Sequence, residues 1–119
     1  MTKRILIICR KPPYGSSLGR EALDIALASS VFDQSLSILF TGEGVWQLHK
    51  GQKGQQVDQK GYDKLLSAFP LYEINDLYVD AKSIEQRQLT QDDFVVDTQT
   101  LNSDEVKQLM AEHDVLLNF

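Results

Sequence analysis

The run Ile5-Leu6-Ile7-Ile8 constrains this chain more than any other feature. Four consecutive large aliphatic residues leave no polar face for solvent, so a strand built from them must be covered on both sides. Strands of that kind belong to parallel sheets, whose connections return through helices lying on the two faces. The rest of the sequence supplies matching pieces. Pro12, Pro13, Gly15, Ser16 and Ser17 form a loop that ends in potential helix N-caps. Over residues 18–31 the spacing turns helical, with Leu18, Ala22, Ile25, Ala26 and Ser29 able to share one face. Leu36-Ser37-Ile38-Leu39-Phe40 reads as a second strand, stopped by Thr41-Gly42-Glu43-Gly44. Residues 45–48 predict a short helix, and residues 49–60 a polar loop rich in Gln, Lys and Gly.

Beyond that loop, Tyr62, Leu65, Leu66 and Phe69 follow at helical spacing until Pro70 ends the pattern. Leu77-Tyr78-Val79 predicts the third strand, with a short helix over 83–86. Phe94-Val95-Val96 predicts the fourth strand. Asn102 and Glu105 have the spacing of a capping box, ahead of a helix face made by Val106, Leu109, Met110 and His113. Val115-Leu116-Leu117 predicts the fifth strand. Strands alternate with helices and no hairpin signal joins successive strands. The expected fold is therefore one α/β domain over residues 1–119, a three-layer α/β/α arrangement around a five-stranded, mainly parallel sheet.

A chain of 119 residues with 42% hydrophobic content can bury such a core without staples. Its one cysteine, Cys9, excludes an internal disulfide and points to a reducing compartment. The N-terminal apolar run ends after five residues at Arg10-Lys11, with no small-residue cleavage site. No stretch approaches the roughly 20 apolar residues of a membrane span. A cytoplasmic location is expected. Net charge is −5, unevenly spread: residues 1–64 hold nine Lys/Arg against six Asp/Glu, and residues 65–119 hold three against eleven. An acidic chain makes a poor stand-alone nucleic-acid binder. A basic half and an acidic half suit docking against other subunits, although a solvated surface explains them too.

Ligands of open parallel sheets sit beyond the carboxyl ends of the strands. The stretches to inspect are therefore 9–19, 41–44, 80–83 and 97–101. No phosphate-binding P-loop string is present, and a dinucleotide fingerprint begun at Gly42-Glu43-Gly44 would need its third glycine at Gln47. A cysteine phosphatase would need arginine where Gly15 stands. A phospho-receiver domain would need an acidic pair where Arg10 and Lys11 stand. Cys9 reads either as a small buried apolar residue or as a thiol activated by Arg10 and Lys11. His49 and His113 lack partners at metal-ligand spacing, so no metal site and no cofactor are expected. His113 suits the last turn of its helix, and His49 suits the polar loop. Asp80 is placed to cap the helix after the third strand through backbone N–H groups. Trp46 and Leu48 are either core or an apolar interface for a partner. The lysines at 50, 53, 60 and 64 fit a solvated loop as well as a contact surface. These residues support a binding or assembly module more than an enzyme.

Several segments carry a resemblance. They are residues 68–80 (AFPLYEINDLYVD), Pro13-Tyr14-Gly15 leading to Gly19-Arg20-Glu21-Ala22-Leu23-Asp24, Gly42-Glu43-Gly44-Val45-Trp46-Gln47-Leu48, Gly51-Gln52-Lys53, Phe94-Val95-Val96 and Asp114-Val115-Leu116-Leu117-Asn118-Phe119. In order and over nearly the whole chain, they resemble the DsrF-type members of the DsrE/DsrF-like family. The resemblance implies a subunit of a heterohexameric bacterial sulfur relay, two copies each of three chains, with TusB-like and TusD-like sister subunits. It implies indirect links to TusA and TusE sulfur carriers. The sulfur passes toward 2-thiolation of the wobble uridine of tRNA, in the synthesis of 5-methylaminomethyl-2-thiouridine, and direct tRNA binding by this chain is not expected. It also implies that the sulfur-carrying cysteine lies just after the third strand of the TusD-like chain. The matching position here is Asp80, which cannot hold a persulfide. The resemblance thus implies a non-catalytic subunit with a degenerate carrier position. The alternatives are a stand-alone sulfurtransferase using Cys9 as carrier thiol, and an anion- or nucleotide-binding module at the Gly15–Gly19 loop.

Overall fold

In β1 (Arg4–Cys9) successive side chains enter two different cores. Ile7 and Cys9 point into one, Leu6 and Ile8 into the other, and all four are buried. That division is why the run is uniformly apolar rather than alternating. The computed structural model describes residues 3–12, 18–29, 35–49, 66–72, 74 and 76–119. Among them the elements after β1 are α1 (Leu18–Ser29), β2 (Ser35–Phe40), a 3-10 turn (Gly42–Leu48), a second 3-10 turn (Phe69–Tyr72), β3 (Leu77–Asp80), α2 (Ala81–Gln86), β4 (Gln99–Leu101), α3 (Ser103–Ala111) and β5 (Val115–Asn118). A one-turn 3-10 segment (Gln91–Asp93) precedes β4.

The five strands form one sheet in the order β4-β3-β2-β1-β5, and every pairing is parallel. From β1 the chain winds outward through β2 and β3 to β4, then crosses back to place β5 on the other side of β1. Right-handed crossovers put the connecting helices on one face while the chain moves one way and on the opposite face when it reverses. The packing agrees. Ala22, Leu23 and Ala26 of α1 and Ile84 of α2 join the core of Ile7, Ile38, Phe40 and Val79, whereas Val106, Leu109 and Met110 of α3 join Leu6, Ile8 and Leu39. The result is a three-layer α/β/α sandwich. Phe119 carries the β1–β5 pairing one step further, its N–H donating to Ile8 O and its carbonyl accepting from the Arg10 N–H.

Two details depart from the sequence-based expectations. The fourth strand is not residues 94–96 but Gln99–Leu101. Phe94 makes only an isolated antiparallel bridge with His49 and is buried in the core beside Leu48 and Val79, while Val95 donates to Leu48 O. Apolar content there reports burial, not pairing; the true edge strand is polar because much of it faces solvent. The buried stripe of α1 is also rotated, with Leu23 inside and Ile25 37% exposed. Ala22 and Ala26 fit an arc extended toward either neighbour, so spacing alone does not choose between them. The helix pattern expected from Tyr62 is described only from Leu66 onward, and the remainder lies outside the described residues. By contrast, the capping box of α3 forms as the spacing predicts, Asn102 accepting from Glu105 N–H and Glu105 from Asn102 N–H, both at 2.9 Å.

The end of β1 and the turn after β2 lock together through a glycine. Thr41 N–H donates to Cys9 O at 3.1 Å, and a Cβ added at Gly44 would sit 2.0 Å from that same oxygen. Gly42 is needed for a different reason: its φ is +56°, yet a Cβ there meets nothing within 4 Å. Gly44→Ala should therefore cost about 3 kcal/mol, lowering the melting midpoint by more than about 10 °C. Gly42→Ala should cost only about 1 kcal/mol of backbone strain. Thermal melts followed by circular dichroism separate the two.

Candidate functional site

The carboxyl ends of β2 and β3 hold a compact polar cluster. Asp80 closes β3, Thr41 follows β2, and Ser83 lies in the first turn of α2. Ser83 Oγ donates to Asp80 Oδ2 at 2.6 Å, and Thr41 Oγ1 donates to the same oxygen at 3.2 Å. Ser83 Oγ in turn accepts the N–H of Gly42 at 2.8 Å. The positive-φ turn at Gly42 aims that N–H at the hydroxyl, so the backbone of one strand end is tied to the side chains of the next. Ser83 is buried and Asp80 partly so. Further out, Arg87 reaches back with one guanidinium nitrogen on Ser83 O at 3.0 Å and another on Glu43 Oε1 at 2.7 Å. The Glu43 side chain is half exposed, so this ion pair contributes well under 1 kcal/mol. Its value is positional: it clips α2 to the turn after β2.

Asp80 therefore does not play the part that sequence reasoning gives it. It occupies the N-cap position of α2, but its side chain makes no capping bond to backbone N–H groups. Its carboxylate is spent on two hydroxyls instead, because Ser83 stands one turn on and Thr41 faces it across the sheet edge. Cys9 is fully buried, and burial pushes its thiol up to about 12 from an ordinary 9.0. Arg10 and Lys11 are exposed, and desolvation alone governs the thiol. The activated-thiol picture is corrected accordingly: Cys9 is a small apolar core residue. Leu48 is likewise fully buried in the core. Of the possible interface pair only Trp46 reaches the surface, partly buried, its ring 5.7 Å from that of His49.

His113 follows the end of α3, where its Nδ1 meets Leu109 O at 2.7 Å; a ring N–H suits an unsatisfied helix-terminal carbonyl. Among the described residues no group of three or more His, Cys, Asp or Glu is placed to hold a metal ion. The loop at 13–17 and the lysines at 50, 53, 60 and 64 lie outside the described residues. A groove of about 580 Å³ opens elsewhere, at the start of β3 beside Ile74, Phe94 and Val96, and holds neither cysteine nor histidine among its described lining.

The sequence profile of the DsrE/DsrF-like family matches residues 3–119. The chain belongs to that family. Two curated relatives, each called "Protein TusC homolog", are similar over almost their whole length. That of Vibrio parahaemolyticus is 36% identical over 116 residues, and that of Pseudomonas aeruginosa 34% over 117, with 98% of both chains covered in each case. The crystal structure of the ychN protein from E. coli superposes with a TM-score of 0.83 over 99% of this chain and all of that one, at 18% identity. At that identity the likeness concerns the fold alone. In this DsrE/DsrF-like chain the mouth of the sheet presents a hydrogen-bonded carboxylate and hydroxyls, not a thiol. Sequence reading found Asp80 and the 41–44 turn, but not the Thr41–Asp80–Ser83 link or the Glu43–Arg87 clip. The available signal was Ser83 at i+3 from Asp80; nothing local reports Thr41 across the sheet.

Two outcomes follow. Ser83→Ala removes the acceptor for Gly42 N–H and should cost about 1–3 kcal/mol in urea unfolding, with Asp80 still unable to cap α2. Cys9 in the native chain should resist iodoacetamide at pH 8 and react once urea unfolds it. The raised thiol also fixes a sign. Above pH 9 the unfolded chain loses this proton while the folded chain keeps it, so stability contributed by the neutral thiol is full below 9 and is lost as pH rises toward 12.

Proposed function

We propose that this chain is a non-catalytic subunit of a bacterial sulfur-relay complex, pairing with TusB-like and TusD-like sister chains in a heterohexamer with two copies of each. In this reading it works in the cytoplasm and holds the sulfur-carrying sister in place. Sulfur then passes from a TusA-like donor through a TusE-like acceptor toward 2-thiolation of the wobble uridine of tRNA. The names of the curated relatives and the whole-length family match support the relay assignment.

The observation that carries the non-catalytic part is Asp80, fixed by the hydroxyls of Ser83 and Thr41 where the family resemblance expects a carrier thiol. A sulfur carrier must attack a sulfane sulfur as a thiolate and later leave as a thiol, and a carboxylate does neither. Cys9, with its thiol buried and its proton held, does not replace it. Direct tRNA binding has no support in a chain of net charge −5. Asp80 and Trp46 remain the surface positions from which contact with a sister chain is proposed.

Native mass spectrometry of the tagged chain purified from its own host tests the reading. Two other small chains in equal amounts, at hexamer mass, are expected; a lone monomer or homo-oligomer would sink it. In cells, Cys9→Ala should leave 2-thiouridine content near wild type, as read by nucleoside mass spectrometry. Loss of thiolation with the complex intact would instead favour Cys9 as the carrier, and so would a +sulfur adduct on the isolated chain after exposure to a persulfide donor.

A further inference from the structure

The face of the sheet carrying α3 is only partly covered. Between α3 and the β3–β4 edge runs a groove of about 190 Å³, lined by Tyr78, Leu101, Glu105, Gln108, Leu109 and Glu112. That is the space of about six waters, or of one long side chain. Its floor is the ring of Tyr78 with the aliphatic Leu101 and Leu109. Its wall is the side of α3 where Glu105, Gln108 and Glu112 recur at helical spacing, with the two carboxylates seven residues, or about 10 Å, apart along the axis. Lys107, the one cation of α3, falls about 200° around the helix from Glu105 and so faces away from the groove. Burial first, and then the carboxylates of Asp76 and Glu112, hold the Tyr78 hydroxyl protonated to higher pH than usual, against a smaller opposing pull from Arg4. Glu105, Glu112 and Asp76 form no ion pair among the described residues, and Glu105, whose Oε1 takes the Asn102 N–H at 2.9 Å, keeps its second oxygen for a cation. The groove thus carries net negative charge above an apolar floor, in the half of the chain that holds eleven acidic residues against three basic ones.

We propose that this groove docks an arginine or lysine side chain of a partner polypeptide. The aliphatic stem would lie along Leu101 and Leu109, with the cationic head between Glu105 and Glu112 over the Tyr78 ring. Charge complementarity selects the occupant. Phosphate backbones and anionic lipid surfaces are repelled by these carboxylates. A bare divalent ion lacks the converging oxygen ligands it needs, and the described residues offer no such set. An apolar floor under a carboxylate rim fits a cation carried on a long hydrocarbon stem. The identity of the chain that supplies it rests on the subunit reading above, whereas the chemistry of the groove does not.

The test uses the complex as purified from cells. Glu112→Lys is at an exposed helix-end position and should fold normally, which a melting curve checks. It should reduce the co-purified partner chains at least ten-fold in native mass spectrometry at low salt, with Glu112→Gln intermediate and both differences from wild type shrinking as salt is raised. Partners retained at wild-type level by Glu112→Lys overturn the proposal while leaving the relay reading intact. Where the wild-type chain itself brings no partner, the relay reading fails and the groove is judged separately. An acetylated, amidated Gly-Leu-Arg-Leu-Gly peptide should then give saturable shifts at the Tyr78 and Glu112 amides in a nitrogen–proton correlation spectrum. Equal shifts from the peptide with glutamine in place of arginine, or none from either, overturn it.

Discussion

All the layers of this protein depend on the double burial of β1. Its side chains alternate between two separate cores, one under α1 and α2 and the other under α3. A strand of that kind has no solvent face to give up, so both layers must form for either to be stable. It also sets the topology. β2 lies on one side of β1 and β5 on the other, both parallel to it, and parallel neighbours can only be reached through crossovers. The reversal of winding at β1 then sends α3 to the face opposite α1.

The same strand governs the functional end of the molecule. Cys9 ends β1, and its carbonyl takes the N–H of Thr41, which brings the turn after β2 so close that only glycine fits at 44. That turn presents the Gly42 N–H to Ser83, and Ser83 presents its proton to Asp80. Thus one chain of short contacts runs from the buried core to the mouth of the sheet. A carboxylate held this way is a rigid polar fixture. It suits a surface against which another chain is seated better than a group that must form and break covalent bonds, which is the physical content of the proposed subunit role.

The two faces differ in how completely they are covered. The α1 side is closed by α1, α2 and both longer 3-10 turns, whereas among the described residues the nine-residue helix α3 alone spans the other. Leu6, Ile8 and Leu39 are buried beneath it, but the flanks stay open: Leu116 on β5 is 42% exposed, and Tyr78 with Leu101 floors the acid-walled groove. Two of the eleven acidic residues of 65–119, Glu105 and Glu112, line it.

What the sequence by itself determined is the alternation of elements, the parallel sheet and the position of Asp80. Periodicity and capping report local preferences, and those survive folding: Asn102–Glu105 closes its box, and the aliphatic run becomes an inner strand. Tertiary structure decided which apolar segments pair and which merely pack. Phe94 is buried without joining the sheet, and the polar Gln99–Leu101 becomes the edge strand, because strand pairing is satisfied by backbone groups that every residue carries. It also decided the partners of Asp80, since Thr41 lies 39 positions away and reaches the carboxylate only because β2 and β3 are neighbours in the sheet. It decided the character of Cys9 as well. Arg10 and Lys11 adjoin that thiol in sequence, but the strand turns it inward and leaves them in water, and burial outweighs adjacency.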